Sequence, residues 1–170
     1  MKGRGIRLAS GAFAIVDASK HKRLARFRWH LFKSKNMRGG GYPVRTYRTS
    51  VGGKPNWVFM HHSVVGYPPV GMVVDHVNGN TLDNRKSNLR FATREQNCWN
   101  ARRTPSVSGY IGVTAKRDKP GGKLRYQARI SHHDRNCSLG YYDTAVAAAR
   151  AYDRRALELR GDFAFINFRD

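Results

Sequence analysis

An aspartate and a histidine lie side by side at Asp75 and His76, directly after an apolar run, and two asparagines follow at Asn88 and Asn97. Carboxylate and amide oxygens are ligands that Mg²⁺ accepts, and a neutral imidazole can take a proton from water near neutral pH. These are the groups needed to hold a metal ion at a phosphodiester and to activate the attacking water. An isolated Asp-His pair is usually only a surface feature, so the prediction depends on the whole combination.

The residues around this pair predict two strands, a loop and a helix. We expect an apolar strand at residues 57–60, a turn, and a second strand at 72–74 that completes a hairpin and leads into the Asp-His pair. Thr93 and Gln96 have the spacing of a capping box, which predicts a helix that starts there and carries Asn97 one turn in. The helix would bring its asparagine back toward the hairpin.

The chain is strongly basic, with 32 Lys and Arg against 11 Asp and Glu, a net charge of +21 and a pI near 11.0. Such a surplus predicts strong, salt-dependent attraction to polyanions, and the natural phosphodiester for this chemistry is then DNA or RNA. A membrane surface is the rival polyanion, but the basic residues are not arrayed on one long amphipathic helix. Residues 1–56 hold fourteen Lys and Arg and a single acid, Asp17, and are the expected electrostatic clamp of a β-rich region.

Cysteine use and hydropathy exclude several classes of protein. Cys98 and Cys137 form no Cys-x-x-Cys pair, which argues against structural zinc and against a disulfide framework, and we expect Cys98 to be a packing residue. No segment approaches the length of a transmembrane helix, and the short stretch from Leu8 to Val16 predicts a strand rather than a signal peptide. A cytoplasmic protein with no membrane partner and no small-molecule cofactor is expected.

The last part of the chain predicts a small sheet and one helix. Residues 101–109 have the composition of a linker, and strands are expected at 110–117, 124–131 and 136–142. A helix should follow from a cap at Asp143 or Thr144 to Arg160, with Gly161 as its stop. Its apolar stripe is formed by residues at helical spacing, namely Val146, Ala149, Tyr152, Ala156 and Leu159.

Four segments within residues 57–100 carry a specific motif: Met60-His61-His62, Val74-Asp75-His76-Val77-Asn78-Gly79-Asn80, Leu82-Asp83-Asn84-Arg85-Lys86-Ser87-Asn88-Leu89-Arg90 and Thr93-Arg94-Glu95-Gln96-Asn97. Together they resemble an HNH nuclease motif of the ββα-metal class, in the variety found in phage homing endonucleases. The resemblance implies that the metal is Mg²⁺, or Mn²⁺, and not zinc.

The resemblance also implies a role for each residue of the site. Asp75 and Asn97 would hold the metal, His76 would be the general base, and Asn88 would tie the loop to the hairpin. His61 matches a histidine that is common at its strand position, and a packing role and a site role both stay open. His62 stands where such motifs often have arginine, so a phosphate-clamping role is open too.

A second set of segments covers residues 108–168: Ser108-Gly109-Tyr110-Ile111-Gly112-Val113, Tyr126-Gln127-Ala128-Arg129-Ile130, Leu139-Gly140-Tyr141-Tyr142-Asp143-Thr144-Ala145, the run 147–156 and the run 160–168. They resemble an AP2 DNA-binding domain. The resemblance implies a three-stranded antiparallel sheet packed on one helix, with the sheet entering the major groove of DNA.

Strand alternation divides this sheet into two faces. Tyr126, Ala128 and Ile130 should point toward the helix, and the residues between them should form a polar face for phosphates and base edges. The resemblance adds positions on the first and third strands that contact DNA in the AP2 family. The expected DNA-binding residues are then Thr114, Lys116, Arg125, Gln127, Arg129, Ser131, Asn136 and Ser138. The helix arginines are expected to be solvated or paired instead; they are Arg150, Arg154 and Arg155, with Asp153 and Glu158 as partners.

These observations predict an α+β protein with an HNH motif at 57–100 and an AP2-like sheet and helix at 110–170. The expected function is that of a metal-dependent, site-specific DNA endonuclease of the homing type. It would nick one strand of double-stranded DNA per active site, as a monomer or as a DNA-templated dimer. A non-enzymatic, sequence-specific DNA-binding regulator with a decayed HNH motif is the main alternative, and an RNA-binding or ribosome-associated basic protein is the third.

Overall fold

The computed structural model of the chain describes residues 3–33, 40–48, 50, 52–101, 106–117, 119, 121–133 and 135–168. These residues form a mixed α and β fold with several small sheets and four α-helices. The chain divides into two compact units, residues 1–94 and residues 95–170. Among the described residues, no helix is both long enough and apolar enough to cross a membrane.

The first unit consists of short strands and two short helices, which are β1 (Gly3–Arg7), β2 (Phe13–Asp17), α1 (Ala18–Leu24), β3 (His30–Phe32), β4 (Tyr42–Tyr47), β5 (Asn56–Phe59), α2 (Met60–Val65), β6 (Met72–His76) and β7 (Leu89–Thr93). β1 pairs with β2, β4 lies between β3 and β5, and β6 pairs with β7, all antiparallel. Part of the strand predicted between Leu8 and Val16 is present as β2.

One hydrophobic core joins these small elements. Trp29 and Leu24 are 1% exposed and Met60 is fully buried, and they pack with apolar residues of the β1–β2 hairpin and of β7. The indole Nε1 of Trp29 donates a hydrogen bond to the carbonyl of Leu24 at 2.8 Å, so the ring's polar atom is satisfied inside the core. A two-stranded hairpin is only marginally stable alone, and packing into this shared core stabilises the hairpins of the unit.

The N-terminal hairpin also fixes the loop that follows β6. The amide of Ile15 donates to the carbonyl of Leu82 at 2.8 Å, and the amide of Asn84 donates to the carbonyl of Ile15 at 2.7 Å. The carboxylate of Asp17 accepts a hydrogen bond from the amide of Lys86 at 2.8 Å. Residues far apart in sequence thus satisfy the backbone groups of the loop, and the loop gains a single conformation.

The predicted hairpin between residues 57–60 and 72–74 is wrong. β5 pairs with β4, Met60 begins helix α2, and β6 pairs with β7. The run from Met60 to Val65 is only six residues long, too short to show helical periodicity, and for this reason α2 was not predicted. The strand at 72–74 is confirmed and extends to His76.

The second unit begins with α3 (Arg94–Asn100), whose first residue is the last of the first unit, and continues with β8 (Val113–Arg117), β9 (Leu124–His132), β10 (Arg135–Tyr142) and α4 (Ala145–Arg160). The predicted start of α3 after Thr93 is confirmed, as are the three strands and the helix that follows them. β9 is the central strand of an antiparallel sheet. Residues 102–105 of the predicted linker lie outside the described residues.

Helix α4 covers one face of this sheet because its buried residues are small. Ala148 and Ala149 are fully buried against Ala128 of β9, and a second cluster places Tyr152 and Ala156 against Ile111 and Ile130. Of the two predicted caps, Thr144 is the one used: its side chain accepts a hydrogen bond from the amide of Ala147 at 3.1 Å. The helix ends at Gly161, which has a φ of +51°.

Three predictions about side chains of this unit are wrong. Val146 is 41% exposed, because the helix face against the sheet is centred on Ala148 and Ala149. Asp153 is buried and accepts hydrogen bonds from Asn167 and from the amide of Phe168. It therefore holds the C-terminal segment against α4 and is not a partner of the helix arginines. Cys98, expected to pack, is exposed.

The remaining prediction for α4 is confirmed. Arg155 forms an ion pair with Glu158 at 2.8 Å, and both side chains are exposed.

Candidate functional site

The β6–β7 hairpin holds the Asp-His pair at its end. Asp75 lies opposite Arg90 and His76 lies opposite Leu89, so the two functional side chains leave the hairpin on opposite faces. Both are buried, at 3% and 4% exposure. The Nε of Arg90 donates to Oδ2 of Asp75 at 2.8 Å, which balances the buried carboxylate and fixes its orientation.

The environment of His76 favours the neutral form of its imidazole. Burial lowers its pKa below the ordinary value, against the opposing effects of a contact with Asn84 and of the charges on Asp75 and Asp83. Its Nε2 lies 3.5 Å from Oδ1 of Asn84. A neutral, oriented imidazole is the form that can accept a proton from water.

The loop after β6 is organised by asparagine side chains. Oδ1 of Asn88 accepts a hydrogen bond from the amide of Asn78 at 3.0 Å, and its Nδ2 donates to the carbonyl of Asp83 at 2.8 Å. The carbonyl of Asn88 also accepts from the amide of Val77 at 2.9 Å. Asn88 therefore ties the loop to the end of β6, as expected.

The loop also contains an ion pair between Arg85 and Asp83, two residues that were not predicted to belong to the site. Arg85 grips Asp83 with two hydrogen bonds, Nε to Oδ1 at 2.8 Å and an Nη to Oδ2 at 2.6 Å. These hydrogen bonds are the main reason that the pKa of Asp83 lies below its ordinary value. The sequence Asp-Asn-Arg in an asparagine-rich loop was the available signal, but the fork-shaped contact depends on the folded loop.

Besides Asn84, the imidazole of His76 has a cluster of aromatic rings as neighbours. The ring of His61 lies 5.5 Å from that of His76 and stacks on Phe59 at 5.2 Å, and Tyr42 lies 6.0 Å from His76. Burial, followed by the neighbouring His62 and His76, lowers the pKa of His61 to about 3. Burial and the charge of Asp75 raise the pKa of Tyr42. The wall beside His76 is therefore made of neutral rings.

The carboxylates of the first unit all lie inside it. Asp17, Asp75 and Asp83 are its three acids, and their exposures are 4%, 3% and 2%. Each accepts a hydrogen bond from a basic side chain or from a backbone amide. The surface charge of residues 1–94 consequently comes from lysine and arginine.

The predicted metal ligands Asp75 and Asn97 lie in different units, since Asn97 is on α3 at the start of the second one. Across the described ranges, no three His, Cys, Asp or Glu side chains are grouped as metal ligands. One buried carboxylate with an amide oxygen suits a hard cation that completes its shell with water and phosphate, as Mg²⁺ does. Their pairing at one ion stays a prediction.

The polar face predicted for the second unit is one continuous surface. The register pairs Thr114 with Gln127, Lys116 with Arg125, Ser138 with Arg129 and Asn136 with Ser131, so that all eight predicted residues lie on the same side of the sheet. Six of them are exposed, Arg125 is half-buried, and Gln127 is buried. The Nε2 of Gln127 donates to Oγ of Ser138 at 3.1 Å.

Comparison with known proteins gives relatives for both parts of the chain. The sequence model described as "HNH endonuclease" matches residues 57–98. An uncharacterised HNH endonuclease of Acanthamoeba polyphaga mimivirus is 30% identical over 166 residues, which cover 97% of this chain and 78% of that protein. Protein 3.8 of Escherichia phage T7 is 28% identical over 97 residues, 56% of this chain and 76% of its own length.

A third relative is similar to the C-terminal part only. APETALA2-like protein 2 of rice (Oryza sativa subsp. indica) is 48% identical over 61 residues, which are 36% of this chain and 13% of that protein. No solved structure matches the chain.

Proposed function

Because the chain belongs to the HNH endonuclease family, we propose that it is a metal-dependent DNA endonuclease of the homing type that cleaves a phosphodiester at the Asp75–His76 pair. The observation that carries the proposal is the buried imidazole of His76 at the end of β6, next to the buried carboxylate of Asp75, where burial also lowers the pKa of the ring. Few structural roles require a strand to end in both groups at once. A general base and a metal ligand require it.

His76 acts in this proposal as the general base. Its ring takes the proton of the water that attacks phosphorus, and the loop contacts of Asn84 hold the imidazole in place. The wall of neutral rings around it keeps the ring uncharged before the reaction. Tyr42 and His61 are the nearest members of this wall.

Asp75 and Asn97 would hold the cation, with water and a substrate phosphate oxygen as the other ligands. When bound, Mg²⁺ or Mn²⁺ stabilises the negative charge that develops on the phosphate and on the departing 3′ oxygen. Arg90 holds Asp75 in one orientation, so that its carboxylate does not have to be ordered when the substrate binds. A zinc site is not proposed, because the donors are oxygens.

The second unit would anchor the enzyme on double-stranded DNA through the polar face of β8, β9 and β10. The 48% identity of this region to the rice APETALA2-like protein 2 supports an AP2-like module, and the exposed residues of the face suit contacts to phosphates and base edges. One Asp-His pair per chain gives a nick in one strand. Cleavage of both strands requires a second chain on the same DNA.

The test uses a supercoiled plasmid that carries a site recovered by mapping cleavage ends on a random-sequence DNA library. The wild-type protein with Mg²⁺ or Mn²⁺ should convert it to the relaxed form, and His76→Ala should lower the rate by at least about 100-fold, the usual contribution of a general base. His30→Ala is the matched control, because His30 is an exposed histidine of β3 and should be dispensable.

Two outcomes contradict the proposal. Equal activity of the wild type and His76→Ala would remove His76 from the reaction. Tight binding without relaxation in either metal would favour the DNA-binding regulator with a decayed motif.

A further inference from the structure

Four aromatic rings form a continuous band on the β3–β4–β5 sheet and lead to His76. We call Trp57, Phe32, Phe59 and Tyr42 the aromatic strip. The centroid of Trp57 lies 4.5 Å from that of Phe32, Phe32 lies 6.4 Å from Phe59, and Phe59 lies 5.9 Å from Tyr42. Tyr42 in turn lies 6.0 Å from the ring of His76. The three ring pairs within the strip are T-shaped, with the edge of one ring against the face of the next.

Strand register places these rings on one side of the sheet. Phe32 pairs with Tyr42, and Trp57 pairs with Thr46, which has the same orientation as Tyr42 along β4. Tyr47, the next residue of β4, therefore points to the other side. There it lies with Phe27 and the guanidinium of Arg45.

The strip is more exposed than a core needs. Trp57 is 46% exposed, and Phe32, Phe59 and Tyr42 are half-buried, whereas Met60 and Trp29 in the core of the same unit are buried almost completely. An aromatic surface that stays partly exposed on a small unit is a candidate binding surface.

The charge around the strip selects the kind of ligand. The three carboxylates of residues 1–94 are buried, so this unit presents no carboxylate around the strip and its charged surface residues are lysines and arginines. Flat apolar rings within a positive surface suit a ligand that combines planar rings with negative charge. A nucleic acid strand is such a ligand, because its bases stack on aromatic side chains while its phosphates bind lysine and arginine.

We infer that the aromatic strip binds unstacked DNA bases next to the phosphate that is cleaved. The inference rests on the proposed function in one respect, that the strip ends at a residue that acts on DNA. Bases that leave the duplex stack on Trp57 and Phe32, and the strand continues along the strip toward His76. The stacking offsets the cost of unpairing, as it does in proteins that open or kink DNA.

The first test measures binding of a fluorescein-labelled oligo(dT) strand to the full chain without metal, by fluorescence anisotropy. Trp57→Ala should weaken binding about tenfold, which is the effect of losing one stacked base. Tyr47→Ala is the matched control, because Tyr47 is 45% exposed, is also aromatic and lies on the opposite side of the sheet. Its affinity should stay within about twofold of the wild type, and Trp57→Phe should retain most of the binding.

Equal losses in Trp57→Ala and Tyr47→Ala, or no loss in either, overturn the inference. Because the assay needs neither metal nor cleavage, an inactive wild-type protein would contradict the proposed function and leave this result interpretable. If Trp57→Ala keeps its affinity for oligo(dT) and instead loses self-association in light scattering, the strip binds a second copy of the chain and the inference is wrong.

A second test uses the wild-type chain, so it does not depend on the folding of a variant. An oligonucleotide that carries 5-iododeoxyuridine crosslinks to stacked aromatic side chains under long-wavelength ultraviolet light. Mass spectrometry should find the crosslink on Trp57, Phe32 or Tyr42. Crosslinks confined to residues outside the strip overturn the inference.

Discussion

At the scale of the residue, His61 is a buried histidine beside His76, and its burial disfavours a positive charge there. Its ring is 6% exposed and stacks on Phe59, and its Nδ1 has no hydrogen-bond partner in the part of the chain that the structure describes. The same burial that lowers its pKa to about 3 makes protonation costly in the folded state. Of the two roles that the sequence left open for His61, a packing role in ring contact with His76 is the one these contacts support.

This burial predicts that His61 makes the protein sensitive to mild acid. The pKa rises from about 3 in the folded state to about 6.5 on unfolding, so the unfolded state binds the proton more tightly. The contribution of His61 to stability is therefore complete above pH 6.5 and falls by about 1.4 kcal/mol per pH unit below it. Denaturant midpoints should show that the wild type loses about 2 kcal/mol from this source between pH 7 and pH 5.

The variant His61→Phe should lose correspondingly less stability over the same range, because it keeps the stacked ring and removes the titrating group. His30→Phe, at an exposed position, is the control and should follow the wild type. A pH dependence that His61→Phe leaves unchanged would mean that the loss comes from other groups.

The sequence was enough to name residues whose side-chain chemistry suggests a role by itself. It was not enough to name residues whose role depends on a contact made in the folded loop. Asp75, His76 and Asn88 could be named because oxygen ligands and a base in a known motif have a chemical meaning on their own. The interaction of Asn84 with His76 and the grip of Arg85 on Asp83 are products of the loop's folded shape. The sequence Asp-Asn-Arg was a weak signal for the ion pair, and asparagine is too common in turns for Asn84 to stand out.

At the scale of the element, Gly112 lies just before β8 and packs closely against Tyr152 of α4. It has a φ of +73°, and a Cβ built there would lie 2.1 Å from Cδ2 of Tyr152 and 2.8 Å from the carbonyl oxygen of Arg129. The amide of Arg129 also donates to the carbonyl of Gly112 at 2.8 Å. The backbone passes so close to the sheet and to α4 that no side chain fits.

Gly112→Ala should therefore destabilise the second unit by more than about 3 kcal/mol, since overpacking adds to the cost of the left-handed backbone. Gly109→Ala is the matched control, because Gly109 has a φ of +80° with no atom within 4 Å of the added Cβ. That variant should lose only about 1–2 kcal/mol, the backbone cost alone. Urea unfolding followed by circular dichroism measures both, and equal losses would show that the contact with Tyr152 is unimportant.

The elements of the second unit were predictable because their signals are local. Thr144 and Gly161 mark the ends of α4, and turn residues separate strands that alternate. In the first unit the strand predicted at 72–74 is present within β6, but its partner β7 was not predicted, because the pairing of two strands depends on a core that forms only in the folded protein. β7 (Leu89–Thr93) follows a long loop rather than a tight turn, so no short-range signal pointed to it.

At the scale of the whole molecule, a net charge of +21 means that binding to DNA depends strongly on salt. The exposed cations of the β8–β10 face should each contribute to this dependence. Arg129 is exposed on that face and pairs in register with Ser138. Arg155, on α4, is paired with Glu158 and lies on a different element.

Arg129→Ala should weaken binding to a duplex that contains the cleaved site and lower the slope of log K against log salt by about one unit, because one phosphate contact is lost. Arg155→Ala should leave the slope unchanged, because its guanidinium is already engaged by Glu158. Anisotropy titrations at several salt concentrations measure both slopes. A loss of slope in Arg155→Ala of the same size would place the DNA elsewhere than on the β8–β10 face.

The burial of Asp17, Asp75 and Asp83 also governs how the first unit would find a target. With no carboxylate at its surface, this unit has no acidic side that repels a polyanion, so a first encounter with a duplex does not depend on one exact orientation. A misaligned capture need not end in release, because a charge-held protein can slide and hop along the phosphates. The search for the reactive alignment then takes place along the contour of the DNA, and its speed is set by ionic strength rather than by repeated diffusion from solution.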